Sequence, residues 1–426
     1  MNGLEKDKFK NAARMVTMTL RKADQYETAS RLEDIVPLFE PHEFWDNQPV
    51  PQAADSVRLQ AEDFDKPIET KTVEQVSAEP YALPAEYFWD NLDLEDDEVV
   101  QEMYDLLVQN YVEDDDAMFR FDYSKDFLRW ALLPPGYKPE WLVGVRAGKR
   151  RKLFGCITGI PVTMRLNGHE VKCAEINFLC VHKDLRAKRL APVLIKEVTR
   201  RVNRCDIWQA VYTAGATIPT PITGCTYWHR NLNPKKLHEV QFSTKPANTP
   251  MARYVKLHAV ANQASIPEMR QMVDTDVPEV TRLLNDYLSG VKMHIHFNEA
   301  EVAHFLLPRD KVVYAYVVGP QGALTDFFSF YCLPSSILKH KDYDTLNVAY
   351  SFYNVSTTDR LNEGMGDLLR MAKQSDFDVF NALDCMENKS FLTAQKFGVG
   401  DGQLHYYLYN WRIRNVTPED VGIVLV

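Results

Sequence analysis

A compact cluster of positive charge is the clearest chemical feature of this sequence. Residues 183–204 contain eight Lys or Arg and two acids, a net charge of +6 inside a chain whose net charge is −10. The cluster begins in the loop HKDLRAKR, which follows a candidate strand at 175–181 and precedes a candidate helix that starts near Leu190. Free backbone N–H groups at a helix start, together with guanidinium groups, form a phosphate site. A solvated basic helix face is the alternative interpretation.

The type of phosphate ligand can be narrowed from the loop sequence. The loop has neither the Walker pattern nor a dinucleotide-binding fingerprint, which disfavours ATP and NAD. The segment 186–191, RAKRLA, resembles the loop with which GNAT acyltransferases hold the pyrophosphate of coenzyme A, although it lacks the usual glycines.

Two acidic features could also take part in chemistry. The chain ends on the apolar segment 421–426, VGIVLV, and burial of such a strand forces the terminal carboxylate into or beside the interior. An ordinary last strand whose carboxylate reaches solvent is the alternative. The run 113–116, EDDD, suits a basic substrate, or it is a solvated loop.

Other reactive side chains fit structural roles better. Cys180 lies in the middle of a candidate strand with no assigned base, which favours a buried structural thiol over a nucleophile. His294, His296 and His304 have no clear further ligand, so we expect no metal. The sequence has no G-x-S-x-G nucleophile elbow.

Composition is that of a folded protein outside membranes. Of the 426 residues, 45% are hydrophobic and 25% are charged, and no run approaches the roughly 20 apolar residues of a spanning helix. The seven cysteines are odd in number and never spaced C-x-x-C, which fits reduced thiols. With no signal peptide at the N-terminus, we expect a cytoplasmic location. The acidic balance argues against nucleic-acid binding.

The elements that would position these groups occur in two similar series. Helical periodicity marks 95–111, a helix carrying Leu190, Leu194, Val198 and Val202, and the segments 276–289 and 361–374. Strand patterns occur at 140–146, 152–166, 169–181, 208–213, 311–318, 324–332, 345–353 and 404–411. The sequence therefore predicts an α+β fold of two related halves.

Two longer segments identify a family. The runs 175–183, EINFLCVHK, and 396–402, KFGVGDG, resemble the two signature segments of N-myristoyltransferases. The resemblance is collinear from about residue 42 to the C-terminus, and further matching runs include FWDNQPVP (44–51), VEDDDAMFRFDYS (112–124), LAPVLIKEVTRRVNR (190–204), WQAVYTAG (208–215), LNPKKL (232–237), LLPRD (306–310) and TDFFSFY (325–331).

The resemblance implies the fold, the activity and the division of the chain. It implies two pseudo-symmetric GNAT-like acyltransferase halves that form one compact unit. Residues 42–215 would bind myristoyl-CoA as co-substrate, 216–426 would supply peptide groove and terminal carboxylate, and 1–41 would be a flexible tail. The activity implied is transfer of myristate to the N-terminal glycine of a protein by a monomeric enzyme, with the ribosome as a candidate partner of the tail.

The resemblance also implies roles for individual residues. Backbone amides of Phe178 and Leu179 would polarise the thioester carbonyl, Asn177 and Thr213 would hold the glycine amine, and the terminal carboxylate of Val426 would be the base. Contacts to coenzyme A would come from Glu43, Phe44, Trp45, Phe178, Leu179, Cys180, Val181, Ala187, Arg189, Leu190 and Ala191. Glu43 departs from the family, which usually has Lys or Gln there.

Peptide contacts implied in the same way are mostly aromatic. They are Tyr111, Val112, Asp114, Phe119, Phe121, Tyr123, Tyr212, Gly215, Tyr227, His229, Phe242, Ser329, Tyr350, Asp401 and Leu404. Two alternatives stay open. One is a catalytically silent homologue that binds acyl-CoA or peptide. The other is additional acylation of lysine side chains, whose deprotonation at pH 7 costs roughly 4–5 kcal/mol.

Overall fold

The computed structural model describes residues 42–52, 55, 59–111 and 118–425. The expected tail 1–41, the predicted contacts Val112 and Asp114, and the predicted base Val426 therefore lie outside the described residues. No helix in the described part of the chain is long and apolar enough to span a bilayer.

Seventeen strands and nine α-helices form the described part of the fold. The strands are β1 Tyr87–Asn91, β2 Phe119–Phe121, β3 Leu142–Ala147, β4 Lys152–Leu166, β5 His169–Val181, β6 Gln209–Ala214, β7 Thr223–Asn231, β8 Arg270–Gln271, β9 Met293–Ile295, β10 Val313–Val318, β11 Asp326–Cys332, β12 Ser335–Ile337, β13 Thr345–Leu346, β14 Val348–Ser356, β15 Val379–Leu383, β16 Gly398–Tyr409 and β17 Val421–Gly422. The helices are α1 Asp97–Asn110, α2 Lys125–Leu132, α3 Leu190–Asn203, α4 Pro234–Glu239, α5 Met251–Leu257, α6 Val277–Leu288, α7 Glu299–Leu306, α8 Leu361–Gln374 and α9 Lys389–Leu392.

One continuous sheet of 14 strands runs through both halves of the chain. Twelve of its strands follow the order β1-β3-β4-β5-β6-β16-β7-β15-β14-β11-β10-β8, while β9 and β17 pair beside β4. A small sheet of β13, β12 and β2 joins the N-terminal half to the C-terminal half.

The two halves of the large sheet are built alike. In the first half, β1, β3, β4 and β5 are antiparallel, and α3 crosses over to β6, which is parallel to β5. In the second half, β8, β10, β11 and β14 are antiparallel, and α8 crosses over to β15, parallel to β14. The last strands are exchanged, because β7 pairs with β15 and β16 pairs with β6. The exchange joins the two related halves into one unit.

Helix α3 shows how the sequence pattern becomes packing. Leu194, Val198 and Val202 are buried at four-residue spacing and pack on the first half of the sheet. Glu197 is buried on the same helix, where its carboxylate accepts hydrogen bonds from Arg200 and Arg201 at 2.7 and 2.8 Å. These guanidinium groups replace the water that burial of the carboxylate removes.

The predicted α+β fold of two related halves is correct. Strands β3, β4 and β5 agree with the sequence patterns, and α8 has the predicted bounds 361–374. The sequence analysis did not predict β7 and β15, which lie at the exchanged centre of the sheet. The expected final strand is wrong in extent, since only Val421–Gly422 pairs, with β9.

Gly364 tests the packing of α8 on the second half of the sheet. A Cβ at Gly364 would lie 1.9 Å from the Phe328 ring. We therefore expect Gly364→Ala to lower the free energy of unfolding by about 1–3 kcal/mol or more. Gly366→Ala is the control on the same helix, because its Cβ would meet the flexible side chain of Gln395 at 3.3 Å. Urea titration should show the control as stable as the wild type or more so; equal loss in both would contradict the packing argument.

Candidate active site

A β-bulge between β4 and β5 releases backbone groups at the centre of the first half. Cys156 lies opposite Cys180 and Thr158 opposite Asn177, so Phe178 and Leu179 together face one residue, Ile157. Phe178 has φ 52°, in the left-handed region. A bulge leaves part of the backbone outside the ladder of hydrogen bonds. Peptide N–H groups of Phe178 and Leu179 are thus candidates for binding a negatively charged oxygen.

Aromatic packing holds this strained backbone in place. A left-handed conformation costs a bulky residue about 1–2 kcal/mol. The Phe178 ring is buried, with its centroid 5.0 Å from that of Tyr123 and 6.2 Å from that of Tyr111. Burial of a phenylalanine side chain contributes about 1.5–3 kcal/mol and offsets this cost.

An apolar cavity opens on one side of the bulge. It has about 970 Å³ of space free of protein atoms, part of it continuous with solvent. Its apolar walls come from β5, β6, α3 and the segment near Trp45, and its polar groups include Asn177 and Thr213. Trp45 stacks on Tyr212 at 5.9 Å, and Tyr212 stacks on Tyr407 at 5.1 Å. The cavity suits a long hydrocarbon chain.

A second, cationic cleft meets the apolar cavity at the bulge. It has about 980 Å³ of space, and Tyr111 and Leu179 line both cavities. Its lining is Asn110, Tyr111, Leu179, Cys180, Val181, Lys183, Arg186 and Ala191. A ligand with an acyl chain in one cavity and phosphates in the other would therefore have its linking group beside the bulge.

Asn110 organises the basic loop and was not predicted from the sequence. Its Oδ1 accepts a hydrogen bond from the Lys183 N–H at 3.0 Å, and its backbone carbonyl accepts one from the Arg186 guanidinium. The residue is buried at the end of α1, where its Nδ2 binds the Leu106 carbonyl at 2.9 Å. A lone asparagine at a helix end carries no sequence signal for this role.

The remaining predicted coenzyme A contacts surround the start of α3. Arg189 has φ 57° and precedes the helix, Leu190 begins it, and Ala187 lies in the short 3₁₀ helix Lys183–Lys188. The Arg189 guanidinium donates to the Glu43 carboxylate at 3.0 Å, and both side chains are exposed. Phe44 packs edge-on against Trp45. The structure thus brings the segment from Glu43 to Trp45 next to the basic loop.

A third cavity of about 830 Å³ is lined by residues of both halves. Six predicted peptide contacts line it, namely Phe119, Phe121, Tyr227, His229, Phe242 and Tyr350. Tyr123 and Tyr111 connect it to the bulge through ring contacts. Arg120 and Asn381 also line this groove and were not predicted.

His229 is held as a neutral ring in this groove. Its Nδ1 lies 2.7 Å from Asn381 Oδ1, and its ring packs edge-on against Phe242. Burial lowers the pKa of His229 from its ordinary value, so the ring is uncharged at neutral pH. Gly400 passes so close to the ring that a Cβ would lie 2.2 Å from Nε2, which explains a glycine in the signature segment.

The other predicted peptide contacts lie around or away from the groove. Asp401 is exposed beside the groove residue Gly402, Gly215 is exposed just after β6, and Leu404 is half-buried on β16. Ser329 is completely buried, and its Oγ donates to the Tyr353 carbonyl at 2.8 Å and accepts from the Tyr353 N–H at 3.0 Å. The structure does not bring Ser329 together with the groove residues.

The Ser329 contacts close a second bulge that corresponds to the first. Phe328 lies opposite Asn354 and Phe330 opposite Ser351, so β14 carries the extra residue in the second half. There the hydroxyl of Ser329 accepts a hydrogen bond from the Tyr353 N–H. The Tyr353 amide is thus hydrogen-bonded to a side chain in the second half, whereas the bulge in the first half borders the apolar cavity and the cationic cleft.

The last residues of the described chain enter the interior between the halves. Ile423, Val424 and Leu425 are buried. The Tyr406 hydroxyl donates to the Ile423 carbonyl at 2.8 Å, and the Val424 N–H donates to the Tyr353 hydroxyl at 3.2 Å. Tyr406 lies opposite Thr213 in the sheet, so the same strands carry the cavity and the anchor of the chain end.

The residues considered as a nucleophile or metal ligands have structural partners. Burial raises the pKa of Cys180 to about 12, so its thiol stays protonated. His294 contacts the Val291 carbonyl, and His304 contacts the Trp130 carbonyl. Across residues 42–111 and 118–425, as far as they are described, no three His, Cys, Asp or Glu side chains form a potential metal site.

The fold and this site define an acyltransferase that uses an acyl-CoA. Family models confirm the class. Residues 67–225 match the N-terminal domain of myristoyl-CoA:protein N-myristoyltransferase, and residues 239–424 match its C-terminal domain. The chain belongs to the N-myristoyltransferase family.

Individual relatives agree over nearly the whole chain. Glycylpeptide N-tetradecanoyltransferase 1 of Arabidopsis thaliana is 52% identical over 93% of this chain and 92% of its own length. Glycylpeptide N-tetradecanoyltransferase 2 of Danio rerio is 50% identical over 90% of this chain and 77% of its own length. The Saccharomyces cerevisiae N-myristoyltransferase, solved with bound myristoyl-CoA, has a TM-score of 0.86 and 38% identity, covering 91% of this chain and 100% of the yeast chain.

The pairing of Glu43 with Arg189 leads to a binding prediction. The Glu43 carboxylate forms an ion pair with the Arg189 guanidinium beside the basic loop, and it would repel a phosphate group bound there. We expect Glu43→Gln to tighten myristoyl-CoA binding about twofold to fivefold at low salt, the range for an exposed ion pair. Isothermal titration calorimetry at two salt concentrations would measure this.

Glu62→Gln is the matched control, because it removes the same charge from an exposed residue of the same N-terminal segment. We expect no change in affinity for the control. A gain in affinity that persists at high salt, or that appears equally in the control, would contradict the argument that Glu43 competes with the ligand phosphate for Arg189.

Proposed function

We propose that this protein transfers myristate from myristoyl-CoA to the amine of an N-terminal glycine in other proteins. One observation carries the proposal: the apolar cavity and the cationic cleft meet at Tyr111 and Leu179, beside the bulge at Phe178. This is where an acyl thioester would lie. The yeast relative with bound myristoyl-CoA supports the same ligand.

In the proposed reaction, the Phe178 and Leu179 amides stabilise the oxyanion of a tetrahedral intermediate. The glycine nitrogen attacks the thioester carbon, a C–N bond forms, and the C–S bond then breaks to release coenzyme A as the thiol. A hydrogen-bond donor aimed at such an oxyanion contributes about 2.7–4 kcal/mol. No acyl-enzyme is needed, which agrees with a protonated Cys180.

The glycine ammonium has to lose a proton before it attacks. We assign this proton to the terminal carboxylate of Val426, with Asn177 and Thr213 holding the amine. Burial of Ile423 to Leu425 and the two tyrosine hydrogen bonds support this assignment, because they direct the chain end inward. An α-amine has a pKa of about 7.7–8.0, so a weak base is sufficient at neutral pH.

The aromatic groove would hold the residues that follow the glycine. Phe119, Tyr227 and His229 line this groove, and Tyr123 lies between it and the bulge through ring contacts with Phe121 and Phe178. Exposed Asp401, and the acidic run 113–116 in the sequence, favour a basic residue a few positions after the glycine. The cationic cleft and these acidic residues thus suit two substrates of opposite charge.

A C-terminal extension tests the proposed function and the base together. The enzyme is assayed for acyl transfer to a peptide that begins Gly-x-x-x-Ser-Lys, as wild type and with several residues added after Val426. We expect the extension to abolish transfer while myristoyl-CoA still binds, because the added residues displace the terminal carboxylate. The same residues added before Met1 are the control and should leave transfer intact.

Each other result has a distinct meaning. Full activity of the C-terminally extended enzyme would remove Val426 from the mechanism. Tight binding of myristoyl-CoA without transfer by the wild type would favour a silent homologue. Transfer to an acetylated-glycine peptide with an internal lysine would show that lysine side chains are also substrates.

Asp401→Asn tests the preference for a basic residue. We expect KM for the lysine-containing peptide to rise about twofold to fivefold, with no change for the same peptide carrying alanine instead of lysine. The two peptides and two enzymes form a double-mutant cycle. An equal rise in KM for both peptides would indicate a general disturbance of the groove instead of a charge contact.

A further inference from the structure

Glu175 is a buried carboxyl group next to the proposed reaction centre. It is 4% exposed on β5, and its Oε1 accepts a hydrogen bond from Asn177 Nδ2 at 2.8 Å. Residues two apart on a strand share a face, which places the carboxylate behind the amide that borders the acyl cavity. The proposed roles of Asn177, Thr213 and Val426 do not use this group.

The charge of Glu175 determines which way the Asn177 amide points. An ionised carboxylate has no proton to donate, so it requires the N–H₂ end of the amide. The Asn177 Oδ1 accepts no hydrogen bond from the described residues and is left for a ligand in the acyl cavity. A protonated Glu175 could instead donate to Oδ1, which would turn the amide around.

Glu175 also borders a separate cavity through which its proton can exchange. This cavity has about 450 Å³ of space, part of it continuous with solvent, and it is also lined by Glu301, Tyr353 and Val424. On the flanking strands β4 and β6, the residues opposite Glu175 are the apolar Ile160 and Val211. Glu301 and Tyr353 are therefore the titratable side chains that face Glu175 across this cavity. Val424, near the end of the chain, also lines it.

Burial brings the titration of the Glu175 carboxyl group close to neutral pH. It raises the pKa of the Glu175 carboxyl to about 7, against a smaller lowering by the Asn177 hydrogen bond. Burial likewise raises the pKa values of Tyr353 and Glu301. Glu175 is thus ionised above about pH 7 and protonated below it.

The second half of the molecule lacks this pair. By register, Asn177 corresponds to Ser351 and Glu175 to Ala349. An alanine satisfies the packing of the corresponding strand, so the sheet architecture does not itself require a buried acid at this point. The acid occurs in the half whose bulge borders the apolar cavity and the cationic cleft.

We propose that Glu175 is a positioning residue whose carboxylate orients the Asn177 amide, so that Oδ1 accepts a hydrogen bond from the substrate amine. This rests on the proposed function, because it assigns the incoming glycine amine as the partner of Asn177. No bond to Glu175 forms or breaks in the transfer.

Glu175→Gln tests the proposal, because an uncharged amide mimics the protonated acid. The ratio of wild-type to variant kcat should be about fivefold to tenfold near pH 8.5, the difference between a charged and a neutral hydrogen bond, and fall to within about twofold near pH 5.5. The peptide's own amine titrates in both enzymes, so it cancels in the ratio. The Kd for myristoyl-CoA should be unchanged.

A double-mutant cycle separates positioning from a structural role. In an Asn177→Ala background, Glu175→Gln should have no further effect on kcat, whereas a structural role would give additive losses. If Glu175→Gln does not fold, the ratio of wild type to Asn177→Ala over the same pH range replaces it and should fall in the same way.

A kcat ratio independent of pH, or additive losses in the cycle, would overturn the positioning role. These results would leave the proposed function intact, because it requires only that the wild type transfers the acyl group. Absence of transfer by the wild type would overturn the proposed function instead.

Discussion

The structure depends on one strained point, the bulge at which β5 places two residues against one residue of β4. Phe178 adopts a left-handed backbone there, and its ring is fixed by Tyr111 and Tyr123. The apolar cavity and the cationic cleft share Leu179 at this bulge, and the Tyr123 ring lies between Phe178 and Phe121 of the aromatic groove. A regular strand would pair these amides and leave no meeting point for two substrates.

The internal duplication places a second bulge at the corresponding position of the other half. Both halves carry a bulge at corresponding strands, but in the second half the Tyr353 N–H donates a hydrogen bond to the Ser329 hydroxyl. That half instead contributes to the groove and, through the exchanged β16, to the strand beside Thr213. The first half thus carries the apolar cavity and the cationic cleft, and the exchanged strands β16 and β7 join it to the second half.

Much of the fold and part of the site could be predicted from local patterns. Alternating residues predicted β3 to β5, and four-residue spacing predicted α3, because each pattern reflects burial of one face. Strands β7 and β15 show no clear alternation of apolar and polar residues, because the strand exchange places them at the centre of the sheet. Asn110, Asn381 and Glu175 act through partners distant in sequence or through burial, and a single chain read in order carries no signal for either.

The sequence by itself determined the family, the two related halves and the positive charge of the basic loop, because these depend on residue types that occur close together. Tertiary structure decided which groups meet. It placed Arg189 against Glu43, directed Ile423 to Leu425 into the interior, and set the carboxylate of Glu175 behind Asn177. Such contacts depend on the register of strands and on the exclusion of water, which are properties of the folded chain and of no segment alone.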